Sequence, residues 1–110
     1  MAEFTKSELR TLRELASEVY EAEAHSYLAE LEADFLRWRR DEVSNAELLA
    51  SIHKFHQEQA RDLWSRYQSL KEPELVARGV VLGFISVEQL PEQLKSKLNP
   101  LLEFFAQHHE

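Results

Sequence analysis

The first 72 residues contain neither glycine nor proline; Gly79, Gly83, Pro73, Pro91 and Pro100 all lie beyond them. These are the two strongest local breakers of regular structure, so a run of this length without either is permissive of long helices. The same stretch carries apolar residues at three- and four-residue spacing, interrupted once at Val43-Ser44-Asn45. That pattern predicts two long amphipathic helices folded back on each other.

The first helix is expected over 6–41. Thr5-Lys6-Ser7-Glu8 reads as a capping box, in which Thr5 caps a free backbone N–H and Glu8 reaches back to the backbone of Thr5. Its inward stripe reads Leu9, Leu12, Ala16, Val19/Tyr20, Ala24, Tyr27, Leu31, Phe35, Trp38. Arg37, Arg39 and Arg40 fall in the last turn, where positive charge complements the helix dipole. Ser44-Asn45-Ala46-Glu47 is a second capping box and opens a helix expected over 45–71. Leu48/Leu49, Ile52, Phe55/His56, Ala60, Leu63, Tyr67 and Leu70 form its stripe, and Pro73 ends it. A connection this short makes the two helices antiparallel neighbours.

Residues 74–107 read as three short helices: Glu74 to about Leu82, Pro91–Leu98 and Pro100–Gln107, the last two separated by Asn99-Pro100. Gly83 is the expected stop of the first, and Ser86-Val87-Glu88-Gln89 is a third capping box. The expected architecture is a single all-α domain, a long antiparallel helical hairpin packed with three short C-terminal helices. These are expected to cover the flank bearing Leu28, Phe35, His53 and Trp64. Gly79 and Gly83 are expected to permit close backbone approach.

Composition narrows the function. With no cysteine, disulfides, thiolate zinc sites and a cysteine nucleophile are excluded together, which suits a reducing, cytoplasmic setting. The longest apolar run, Val80 to Ile85, is far short of a membrane span, so a soluble protein is expected. A formal charge of −7 argues against nucleic acid and anionic membrane as partners. Arg37-Trp38-Arg39-Arg40 is the one basic cluster, and it suits a helix C-terminus.

Two clusters have the composition of a chemical site. His53 and His56 stand at i, i+3, and Glu30 and Asp34 come to about their height, a divalent-metal set in composition. The helical phase, however, puts Glu30 and Asp34 on one flank and His53 on the other. The plainer reading makes His56 a buried histidine bonded to Tyr27, Gln59 or a carboxylate of the first helix. Between Glu14 and Asp34 there are seven carboxylates and no lysine or arginine. Glu18 and Glu21, taken with Glu58 and Asp62, superficially resemble the magnesium-binding carboxylate pairs of all-α nucleotide pyrophosphohydrolases. Glu58 and Asp62 are four apart rather than three, and Glu18 and Glu21 point away from the second helix, so a solvated acidic face is the simpler reading. Within this face Glu23 is expected to pair with Arg66 across the hairpin, setting register with little energy.

No nucleophile elbow or Ser-His-Asp order is present. The resulting expectation is a non-enzymatic interaction module, without cofactor, that self-associates as a homodimer or binds another protein. Trp64, Phe84, Phe104 and Phe105 are its candidate contact residues. The alternative is a metal-binding bundle or metal-dependent hydrolase using His53, His56 and nearby carboxylates.

Overall fold

The computed structural model describes residues 3–108, and among them there is no strand. Helix α1 spans Lys6–Arg39, α2 Asn45–Lys54, α3 Arg61–Ser69, α4 Glu72–Val81 and α5 Glu92–Gln107. A π-helical turn, Phe55–Ala60, joins α2 to α3, and a 3-10 turn, Val87–Gln89, precedes α5. The protein is all-α. Among the described residues no helix is long and apolar enough to cross a membrane.

All three capping boxes form. The Thr5 N–H donates to Glu8 Oε1 at 2.9 Å while the Glu8 N–H donates to Thr5 Oγ1 at 3.1 Å. Ser44 and Glu47 exchange the same pair of bonds at 3.1 and 3.0 Å. Ser86 receives the Glu88 N–H at 3.1 Å and donates its own N–H to Gln89 at 3.0 Å. Each satisfies N–H groups that a helix start leaves without an intrahelical acceptor.

The helix ends are equally specific. Glu42 N–H bonds Arg37 O and Asp41 N–H bonds Trp38 O, with Asp41 at φ 60°, the left-handed conformation that ends α1 two residues before the expected boundary. The same six-to-one and five-to-two pattern closes α4, where Phe84 N–H bonds Gly79 O, Gly83 N–H bonds Val80 O, and Gly83 has φ 84°. Aspartate tolerates the left-handed region better than most residues, which explains a reversal without glycine in the first 72 residues.

The chain forms two compact units. One combines the described residues up to Ala22 with those from Leu70 onward. Its core is apolar: Leu12, Val19, Val76, Leu94 and Leu98 are fully buried, with Leu15, Leu75, Ala77, Ile85 and Leu90 around them. Gly79 is required there by space, since a Cβ would run into both γ-carbons of Val19. Arg13 pairs with Glu72 at 4.0 Å, and Gln89 donates to Glu18 at 3.1 Å.

Helix α5 runs through Asn99-Pro100, where a break was expected. Proline in a helix interior removes a bond, here to the Ser96 carbonyl, and costs about 3 kcal/mol. Complete burial of Leu94 and Leu98 offsets this at about 2 kcal/mol each, and Leu101, Leu102 and Phe105 continue the half-buried face beyond the proline.

The second unit is the hairpin Glu23–Ser69. Of its apolar side chains only Leu48 and Leu63 are buried, and the most buried residue is Glu23, 1 % exposed. The inward stripe of α1 differs from the expected one: Leu15 and Glu23 are inside, whereas Leu9, Tyr20 and Phe35 are about 40 % exposed. Leu28, Phe35, His53 and Trp64 are all exposed, where burial of that flank was expected. Residues from Leu70 onward gather instead with the first part of α1.

Candidate functional site

The hairpin has two unlike sides. Helical period puts Leu28 and Phe35 on one flank of α1, and Leu49, His56 and Trp64 on one flank of the second arm. Because the arms are antiparallel, those flanks lie on the same side of the hairpin. Trp64 is 66 % exposed, Leu49 65 % and Leu28 54 %, far more than their apolar area favours. His56, Gln57, Ala60, Arg61 and Trp64 line a shallow cleft here. The other side is polar, with a cleft lined by Glu30, Leu31, Asp34, Ser51, Lys54, Phe55 and Gln59.

The π turn separates the two clefts and decides where His56 points. Phe55 takes the inward position, and the wide turn carries the chain past His56 before Gln59 and Ala60 resume the half-buried stripe. His56 is exposed, not the buried, hydrogen-bonded histidine expected from the regular stripe. Gln59 instead approaches Glu30, donating from Nε2 at 3.5 Å.

Glu30 and Asp34 therefore share a cleft with Lys54, while His56 lines the cleft with Trp64. Asp34 is 3.8 Å from Arg37, which also lies 4.0 Å from Glu42. Among the described residues no three His, Asp or Glu side chains come together in a group that could hold a metal ion. Glu18, Glu21, Glu58 and Asp62 are exposed.

Between the two sides runs a buried polar seam. The Arg66 guanidinium donates to Glu23 Oε2 at 2.8 Å, Tyr67 Oη–H donates to Oε1 at 2.8 Å, and Tyr27 Oη–H reaches Oε2 at 3.4 Å. The Glu23–Arg66 pair forms as expected, but it is buried, where a minor contact of little energy was expected. The Glu23 side chain is 2 % exposed and that of Arg66 25 %, so loss of either would strand a charge out of water. Trp38 closes the hairpin end by donating from Nε1 to Asn45 Oδ1 at 2.7 Å.

In the other unit, Phe104 is 52 % exposed and meets Phe105 edge-on at 5.2 Å, with His108 stacked on it at 4.6 Å. Phe84 and Phe105 are half-buried. Of the four aromatics expected at a contact surface, Trp64 and Phe104 present the most surface; Trp64 is joined by further exposed apolar side chains on one face.

No family model, curated protein or solved structure matches the chain.

Proposed function

We propose that the protein is a non-enzymatic helical interaction module that self-associates through the Trp64 side of its hairpin. The observation that carries this reading is the grouping of Trp64, Leu49, Leu28 and Phe35, all exposed, on one side of an otherwise strongly charged hairpin. Tryptophan with large aliphatic neighbours is the composition of an interface centre. The polar side, with Glu30, Asp34 and Lys54, provides the contrast expected of a face left to water.

Sedimentation velocity from low to high micromolar protein tests it. A concentration-dependent dimer is expected, and Trp64→Ala should weaken association by roughly tenfold or more. The helical signal and melting of the dilute protein should stay near wild type, because Trp64 is mostly exposed. A monomer throughout the range would refute self-association.

A further inference from the structure

Resting on that reading, we infer that the partner is a second copy placed by a two-fold axis running along the hairpin, which lays α1 of each copy over α2 and α3 of the other. The intrachain contacts set the levels. Glu30 meets Gln59 and Glu23 meets Arg66, so Arg61 stands level with Leu28, and Trp64 with His25. Rotation about an axis parallel to the helices keeps every residue at its level. Leu28 of one copy then faces the Ala60–Trp64 stretch of the other, and Phe35 faces the turn around His53. The short apolar row on α1 meets the large Trp64 side chain twice, once in each half of an isologous interface.

Charge selects this arrangement over one with the axis across the hairpin. Glu32 lies at the outer edge of the face on α1, and Arg61 at the outer edge on α3. Among the described residues neither has an ion-pair partner within the chain. With the axis along the hairpin, Glu32 comes to about 6 Å along the axis, little more than one helical turn, from Arg61 of the other copy on both rims, and long side chains bridge that gap. An axis across the hairpin stacks α1 on α1 and α3 on α3, leaving the acid and the base on opposite edges. Acid-against-base pairing at the rim fixes partner and orientation more than it adds affinity.

The area suffices. From Glu23 to Arg39 the face is about 25 Å long at 1.5 Å per residue, and two packed helices make it about 20 Å wide. Two such faces bury on the order of 1,000 Å², the least that a specific interface uses. Adjacent helices in the resulting four-helix layer are all antiparallel, so their dipoles oppose favourably.

The absence of native cysteine makes the test clean. With a short bis-maleimide cross-linker the double variant Glu32→Cys/Arg61→Cys should form a covalent dimer, whereas neither single variant should. Independently, Glu32→Arg and Arg61→Glu should each weaken dimerisation roughly tenfold, and the double swap should restore it. Dimers in which the single variants cross-link, or in which the double swap fails to restore association, would overturn this geometry while leaving self-association standing. A monomeric wild-type protein would overturn both.

Discussion

The apolar core around Leu12, Val76, Leu94 and Leu98 and the hairpin Glu23–Ser69 are stabilised by different physics. In the first, large side chains are completely removed from water and position is set by volume, down to a glycine where Val19 leaves no room. In the second, two leucines are buried and the most buried side chain is a carboxylate held by an arginine and tyrosine hydroxyls. A core of the first kind tolerates conservative apolar exchange and resists cavities. A seam of the second kind has a demanding geometry and leaves apolar area exposed, which suits a surface that completes itself with a partner.

Four measurements test that contrast, in order of expected size. Leu98→Ala should destabilise by about 3–4 kcal/mol in chemical denaturation, because it opens a cavity at a fully buried site. A cost under about 1 kcal/mol would mean the apolar core is not what holds that unit. Glu23→Ala should cost about 3 kcal/mol by stranding Arg66 and the tyrosines, and a double-mutant cycle with Arg66→Met should show strong coupling. Additive effects would reduce the seam to a surface ion pair. Pro100→Ala should act in the opposite direction, raising stability by about 1–3 kcal/mol as the Ser96 carbonyl regains a donor, read as a higher melting temperature. An unchanged or lower value would show that the proline ring is itself required by the packing.

The smallest effect is electrostatic. Glu8 accepts from Lys97 Nζ at 2.7 Å, and this bond, then that from the Thr5 N–H, holds its carboxyl below the ordinary value of 4.5. The Ser44 N–H does the same for Glu47. A carboxylate with a lowered folded pKa stabilises fully above its ordinary value, and loses that contribution as pH falls through the lowered one. Glu8→Gln should therefore flatten the fall of melting temperature below about pH 4.5 and leave that part of the profile near neutrality level. An identical acid limb in the variant would remove Glu8 from the account.

Much of the fold is legible in the sequence. Three capping boxes, the reversal near Ser44 and the stop at Gly83 follow from short-range chemistry, where a residue and its partner three or four positions away decide the outcome. The Glu23–Arg66 pair spans 43 positions and follows instead from the register of the two antiparallel arms. Side-chain phase was less legible. Over the 34 residues of α1 a fixed 100° step cannot separate a flank from a centre, so Glu23 and Leu15 replaced Tyr20 and Phe35 on the inside. The π turn gave no sequence signal, and it left His56 outside.

What the sequence by itself determined is therefore the all-helical class, the capped helix starts, the reversals near Ser44 and at Gly83, and the antiparallel pairing that a short connection imposes, each the result of local backbone chemistry. Tertiary structure decided the rest. It carried α5 through Pro100, because burial of leucines outweighs one missing hydrogen bond. It drew Glu23 into the seam, because Arg66 and two tyrosines together replace the water that carboxylate gives up. And it left Trp64 exposed, because packing is settled by which surfaces meet and not by the apolar character of any one of them.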